Sequence, residues 1–508
     1  MRYNIKQAKL ISLPYGEHDM MNDAPINPFT SATTMLEALN RRQISAVELL
    51  DMQLHRIERY NPALNAIVTF DIEHAKKTAI AADEARAQGK HGALLGLPIT
   101  IKDTIDVEGL PGTAGVEQFK DRRPECDAPL VERVRAAGAV IMGKTNVPPY
   151  AGDWQSDNRV FGRTNNPWDL SRTPGGSTGG GAAALAAGLT PLEFGSDIGG
   201  SIRIPAAFCG VFGHKPSDTA VPRNGHFPGS PLPNTATALS ALGPLARDAH
   251  DLELALDVIA GPGIGEDTSW HLQLPSARHE RLSDFRVALL PPLPWLPVDA
   301  EILAAQDACI SALRHAGYHV ETVSPEGFGD FSNWYELHLK LLFVMMFIGE
   351  DEHRRRRQAE AMHSSGDRYL QASADGIMAS ASDYIIWHGQ RETYRAIWRA
   401  FFREWDVLLT PTNIVPAFPH TDAPYQQRTL AINGETVPYS RQSAYAGIAT
   451  LAGQPATTFP AGITNIGLPI GLQTIGPYLE DRTPIRFASL VTREFGGFRS
   501  PPGYDVLF

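Results

Sequence analysis

Between residues 66 and 260 the chain alternates short β-branched runs with alanine-rich helical patterns, and that alternation restricts the fold more than any other feature. Residues 97–105 and 139–142 read as strands, residues 130–137 and 182–187 as helices. Elements in this order bury a sheet between helical layers, because each helix covers a face of the strands it connects. A helix over 248–260 ends at Gly261-Pro262-Gly263, a strong stop. Residues 262–298 are then rich in proline and polar groups; 285–290 read as a strand and 299–316 as a helix. Residues 327–404, rich in Trp, Tyr, Met and Arg, read as a helical insertion over the sheet, which strands at 407–409 and 467–475 complete. Nearer the start, Ser45 and Glu48 have capping-box spacing and Val47, Leu50, Leu54 and Ile57 recur at helical intervals, predicting an amphipathic helix that ends near Asn61-Pro62. Residues 1–26 lack periodicity and read as an N-terminal arm, leaving 27–508 as one large domain.

Composition narrows the class of function. Apolar residues make up 43% of the 508 and charged residues 20%, enough for a large packed core. A net charge of −11 argues against nucleic acid as a partner, since phosphate binding needs concentrated basic groups. The longest apolar run, 341–348, falls far short of the roughly 20 residues of a membrane span, and the first thirty residues carry no continuous apolar stretch that would read as a secretory signal. Cys126, Cys209 and Cys309 form neither a disulfide framework nor a close-spaced metal pair. A soluble, cytoplasmic protein is the expectation.

Three segments carry the chemistry. In Gly96-Leu-Pro-Ile-Thr-Ile-Lys-Asp-Thr-Ile-Asp106, Lys102 lies within a strand-like run, where a lysine must pair or lose its charge. Its plain alternative is an ion pair with Asp103 or Asp106. Pro174-Gly-Gly-Ser-Thr-Gly-Gly-Gly181 precedes an alanine-rich helix; no lysine follows the glycines, so it is not a nucleotide-binding P-loop. In Gly195-Ser-Asp-Ile-Gly-Gly-Ser-Ile-Arg-Ile-Pro205, successive glycines before Ser201 suit backbone N–H groups converging on an oxyanion.

Taken together these segments resemble the amidase signature family of serine hydrolases. Further matching stretches are Gly143-Lys-Thr-Asn, Asn166-Pro-Trp-Asp, Phe208-Cys-Gly, Lys215-Pro, Gly243-Pro-Leu-Ala-Arg, Asp406-Val-Leu-Leu-Thr-Pro-Thr and Gly467-Leu-Pro-Ile-Gly-Leu-Gln-Thr-Ile-Gly476. The resemblance implies a single α/β/α domain with a mixed central sheet covered by helices. It implies Ser201 as nucleophile, Ser177 as a bridging serine after a cis peptide, and Lys102 as base. The backbone N–H groups of Ile198, Gly199, Gly200 and Ser201 are expected to form the oxyanion hole. No cofactor or metal is implied, and the expected partner is a small amide, with anilides, aryl carbamates and esters as extensions. The assembly expected is a monomer or homodimer. Free lysine titrates near pH 10.4, so a base neutral near pH 7 needs about 4 kcal/mol of differential interaction, which burial supplies. Asp103 opposes that shift if it faces the amine, and is therefore expected to point elsewhere.

The chain departs from the family at Thr178, where a second serine is common, at Gly112-Thr-Ala-Gly-Val116, and at His214 and Ser217 around Lys215-Pro216. For substrate contacts the candidates are Gly175 and Gly176, Trp154 and Gln155 leading into that loop, and Trp334, Tyr335 and Phe343 of the aromatic segment. Met346 and Phe347 belong to the same cluster. His315 and His319 have i, i+4 spacing, but Gly317 interrupts them and a zinc site is not expected. Arg354 to Arg357 follow Glu350-Asp-Glu352 and read as a self-compensated solvated face. Two rival readings stand. Gly175-Gly-Ser-Thr-Gly179 fits the G-x-S-x-G nucleophile turn of α/β-hydrolases, with Ser177 as nucleophile, although the polar stretch before it does not read as a strand. The catalytic subunit of a glutamine-dependent tRNA amidotransferase shares all three segments; residues 224–243 lack the pattern expected of it.

Overall fold

The computed structural model describes residues 25–227 and 238–505. The expected N-terminal arm lies almost wholly outside them, as does the middle of the 224–243 stretch. Strands are β1 (Ile67–Phe70), β2 (Pro98–Lys102), β3 (Val140–Thr145), β4 (Asp157–Asn158), β5 (Gly162–Arg163), β6 (Leu192–Asp197), β7 (Phe212–Lys215), β8 (Ala241–Ala246), β9 (Arg286–Leu289), β10 (His319–Thr322), β11 (Val407–Pro411), β12 (Thr429–Ile432), β13 (Glu435–Pro438), β14 (Ala456–Ile463) and β15 (Pro469–Ile475). Helices are α1 (Ala32–Asn40), α2 (Ala46–Leu64), α3 (Ile72–Ala87), α4 (Pro129–Ala136), α5 (Gly179–Ala186), α6 (Arg203–Cys209), α7 (Ala249–Ile259), α8 (Ala300–His315), α9 (Phe331–Met346), α10 (Glu352–His363), α11 (Arg368–Ile377), α12 (Ala381–Glu404), α13 (Ala444–Ala452) and α14 (Arg482–Phe495).

Eleven strands form one mixed sheet in the order β1-β3-β2-β6-β8-β7-β14-β15-β11-β9-β10. β2 runs parallel to both β3 and β6, whereas β6, β8, β7, β14 and β15 pair antiparallel in turn. Helices cover both faces. One apolar core gathers Leu49, Leu130, Leu252 and Phe487 from α2, α4, α7 and α14; another gathers Trp334, Leu342, Trp398 and Ile448 from α9, α12 and α13. The molecule is therefore a single α/β domain, with α9 to α12 entering the chain between β10 and β11. Among the described residues no helix is long and apolar enough to cross a membrane.

Local chemistry explains most boundaries. Ser45 and Glu48 close the capping box of α2, but the helix continues through Pro62 to Leu64 and stops at Asn65, whose φ of 52° is left-handed. Asn61 makes this extension possible: its Oδ1 accepts from the N–H groups of Ala66 and Ile67, and its Nδ2 donates to the Ile67 carbonyl, so the next turn is held by a side chain. On α10, Arg354 and Arg356 pair with Glu350 and Glu352 one turn earlier, giving the self-compensated face expected there. His319 faces Glu321, and His315 Nδ1 is 2.7 Å from the Ser311 carbonyl.

Candidate active site

β2, between β3 and β6, carries Lys102 at its C-terminal end, and the residue is fully buried. Lys102 Nζ lies 2.6 Å from Ser177 Oγ, 3.0 Å from Thr178 Oγ1 and 2.9 Å from Ser196 Oγ. Burial pushes its pKa down to about 7, against the opposing charges of Asp197 and Glu193. Asp103 turns away, as expected. Its Oδ2 accepts from the Thr113 hydroxyl and N–H, and its other oxygen faces Lys144 Nζ at 3.8 Å. Asp106 pairs with Arg122. Neither acid satisfies Lys102, so the plain ion-pair reading of that lysine does not describe the structure.

Ser177 enters from the glycine-rich loop, and the Gly176–Ser177 peptide is cis. Gly176 is pressed against the backbone of Asp153 and Trp154, where a Cβ would come within 2.3 Å of the Asp153 carbonyl oxygen. Gly175 donates its N–H to Thr173 Oγ1 and accepts from Ser156 Oγ. These two glycines shape the loop; the contacts they make are with protein. Thr178 keeps the hydroxyl in play, bonding Lys102 and donating to the Ser196 carbonyl at 3.4 Å. The stretch before Ser177 is a proline-interrupted loop, so the strand that the nucleophile turn of an α/β-hydrolase requires is missing, and that rival is set aside.

Ser201 lies just before α6, 6% exposed, and its carbonyl accepts the Thr178 N–H at 3.1 Å, which ties the two serine-bearing loops together. Gly200 has φ 99°, and a Cβ there would stand 2.6 Å from Ile204 Cδ1, so this position needs glycine on two counts. Asp197 organises the turn. Its carboxylate accepts the N–H of Gly200 at 3.0 Å and of Ile202 at 3.1 Å, and pairs with Arg203 Nε and Nη2 at 3.0 and 2.9 Å. Burial alone pushes Asp197 up, but the Arg203 charge and hydrogen bonds outweigh it and hold the acid at about 2. Of the four N–H groups expected to form an oxyanion hole, that of Gly200 donates to Asp197. Among the described residues the N–H groups of Ile198, Gly199 and Ser201 meet no acceptor.

Around this loop the substrate candidates separate. Trp154 donates Nε1 to the Gly199 carbonyl at 3.3 Å and sets its ring against Tyr425 and Tyr439. Gln155 is occupied, since Thr421 donates its N–H to Oε1 and accepts from Nε2 through its carbonyl. Tyr335 donates to the Ser440 carbonyl and contacts Ser443 Oγ, placing it behind the wall of the site. Trp334 is wholly buried among Phe328, Phe331 and His338, and Phe343 packs on Phe347 and Gly376. The side chains that face Gly199 are Leu342 and Ser443, whose atoms lie 4.0 and 3.9 Å from where its Cβ would stand. Helical spacing on α9 offers a weak signal for Leu342, one turn before the exposed Met346, but nothing in its sequence surroundings sets it apart from Leu341.

Comparison with known proteins gives the family. The Amidase family model matches residues 48–484. Over 486 residues the chain is 34% identical to a glutamyl-tRNA(Gln) amidotransferase subunit of Roseiflexus sp. (strain RS-1), covering 90% of this chain and 94% of that one. It is 33% identical to indoleacetamide hydrolase of Bradyrhizobium diazoefficiens (strain JCM 10833 / BCRC 13528 / IAM 13628 / NBRC 14792 / USDA 110), covering 89% and 84%. A bacterial aryl acylamidase of solved structure superposes with TM-score 0.75 at 26% identity, covering 93% of this chain and 97% of that chain. With the family model spanning the sheet and all three motif segments, the chain belongs to the amidase signature family of amide hydrolases.

Proposed function

We propose that this protein hydrolyses the C–N bond of small amides through an acyl-enzyme on Ser201, with Ser177 relaying protons to Lys102. The observation that carries the reading is a buried lysine, brought to about 7, with Ser177 Oγ at 2.6 Å. A neutral amine has two N–H donors and one lone pair. Ser196 Oγ and Thr178 Oγ1 stand ready to accept the first two, which leaves the lone pair for the Ser177 hydroxyl. Ser177 Oγ is then free to accept the proton of Ser201 as that oxygen attacks the carbonyl carbon. The carbonyl electron pair moves onto oxygen, where the N–H groups of Ile198, Gly199 and Ser201 supply donors. Return of the proton from Lys102 through Ser177 to the departing nitrogen breaks the C–N bond. Water then attacks the ester by the same relay and frees the acid.

The apolar borders offered by Trp154 and Leu342 favour acyl groups with aliphatic or aryl bulk, and anilides, aryl carbamates and esters fall within the same chemistry. We read the protein as a cytoplasmic monomer or homodimer acting on a small molecule. The competing reading, the catalytic subunit of a tRNA amidotransferase, draws on the 34% identity to the Roseiflexus protein. Turnover of an anilide by the purified chain without partners supports the first; turnover of glutamine only when partner subunits are added supports the second. A fluorophosphonate probe is expected to label Ser201, and mass mapping of the adduct to Ser177 overturns the assignment of nucleophile.

A further inference from the structure

Directly beneath the proposed base lies a second buried ionisable group that the relay does not use. Glu193 of β6 sits opposite Thr100 of β2 in parallel register, so it shares a sheet face with Thr100 and, two residues on, with Lys102. Same-face neighbours along a strand are about 7 Å apart. Thr145 of β3, paired with Lys102, completes the cradle. Both carboxylate oxygens are taken: Thr145 Oγ1 is 2.6 Å from Oε1 and Thr100 Oγ1 2.5 Å from Oε2. Each hydroxyl anchors one oxygen of the carboxyl group. Above it, α5 leaves no slack, because a Cβ on Gly181 would fall 2.5 Å from Glu193 Cγ.

The charged and titratable groups around Lys102 are otherwise committed. On β6, Asp197 also raises Lys102, more strongly than Glu193 does, but its carboxylate is bound to Arg203 of α6; beyond the end of β2, Asp103 faces Lys144 of β3; and His226, from the loop that bridges to Ile105, is kept neutral by burial. Among the described residues Glu193 forms no ion pair with any arginine, lysine or histidine. Burial raises it to about 7, opposed by the two threonine hydroxyls and by Lys102 itself. A carboxyl that is buried, anchored at both oxygens and aligned on one face with one lysine has a single cation to serve.

Building on the assignment of Lys102 as base, we propose that Glu193 is a positioning residue that supplies the counter-charge for the ammonium Lys102 becomes when it accepts the relayed proton. The carboxylate takes no proton in this step. It lowers the cost of a cation that forms in a site without bulk water, and in the resting enzyme it holds the affinity of Lys102 for protons above the value burial alone would set.

The test is the rate of fluorophosphonate labelling at Ser201 followed against pH, in the parent and in Glu193→Gln, which keeps the shape and removes the charge. The acid midpoint is expected to move down by about one pH unit, and the plateau rate to fall about tenfold. Thr100→Val, which removes one hydroxyl from the carboxylate, is expected to shift the midpoint in the same direction by less, and it carries the test if Glu193→Gln does not fold. A midpoint that stays in place in the folded variants overturns the inference, even if the plateau falls, because a merely structural role lowers the rate without moving the titration. Lys102→Ala separates this from the underlying reading: if that variant labels as fast as the parent, the base assignment itself fails and Glu193 loses its role with it.

Discussion

The carboxylate of Asp197 accepts the N–H of Gly200, and this bond sets which backbone donors the loop carrying Ser201 leaves open. With Gly200 turned toward Asp197 at φ 99°, the N–H groups of Ile198, Gly199 and Ser201 are the ones left open. Arg203 balances the acid through two contacts at 2.9 and 3.0 Å, and both side chains are fully buried. Removing one member of such a pair strands the other in low dielectric, at a cost of about 3–5 kcal/mol. Arg203→Met is therefore expected to lower the urea midpoint by an amount equivalent to that range and to slow Ser201 labelling. A loss under about 1 kcal/mol would show that the turn does not depend on this pair.

Because Lys102 is held near 7 by burial, its neutral form, the one the relay needs, is lost as pH falls through that value. For an amide substrate kcat/KM is expected to rise with pH to a midpoint near 7 and to stay level above it, since the lysine is already deprotonated there. Lys102→Met, similar in size and unable to titrate, is expected to lower kcat/KM by about 10²–10⁴-fold. A parent profile that is flat between pH 5 and 8 refutes the assignment.

The architecture is legible where the sequence combines periodicity with punctuation. The strand and helix patterns around Lys102, the capping box at Ser45 and Glu48, and the α7 stop at Gly261 all appear in the structure within a few residues. The elements that local patterns do not disclose have physical reasons for it. β8, Ala241–Ala246, contains Gly243 and Pro244 yet lies inside the sheet between β6 and β7, where burial on both sides outweighs weak strand propensity. The β12–β13 hairpin is short and its alternation weak, although Asn433-Gly434, with φ of 50° and 87°, is the pair that two-residue hairpin turns select. In the site, the triad candidates come from motif spacing, whereas Leu342 and Ser443 approach Gly199 only through tertiary packing of α9 and the turn leading into α13, which no local pattern encodes. Glu193 carries the same signal as Lys102, a charge in a strand-like run, but no motif names it, and only the pairing of β6 with β2 brings the two onto one face.

Thr178 tests how much of the local network depends on a hydroxyl. Its Oγ1 accepts from Lys102 at 3.0 Å and donates to the Ser196 carbonyl at 3.4 Å. Thr178→Ser keeps both and is expected to label Ser201 within about twofold of the parent rate. Thr178→Val leaves one N–H of the buried amine only the more distant Ser196 carbonyl, at 3.5 Å, so a loss of up to roughly tenfold is expected. Equal rates for the two variants would place the function of this residue in its packing.

Leu342 gives the most direct test of where the acyl group lies. Its Cδ2 is 4.0 Å from the Cβ position of Gly199, Ser443 Cβ is 3.9 Å from it, and no heavy atom intrudes closer on that side. If the acyl group fills this space, enlarging the side chain penalises bulky substrates and spares small ones. Leu342→Phe is expected to reduce kcat/KM for benzamide by about tenfold relative to acetamide, in line with the 1–3 kcal/mol that a hydrophobic pocket discriminates per methylene-sized change. Leu342→Ala is expected to move the ratio the other way. Thermal melts of both variants show whether overpacking or a cavity in the surrounding core has altered the fold instead. A benzamide-to-acetamide ratio unchanged in both folded variants would place the acyl group elsewhere, on the Trp154 side of the loop carrying Gly199.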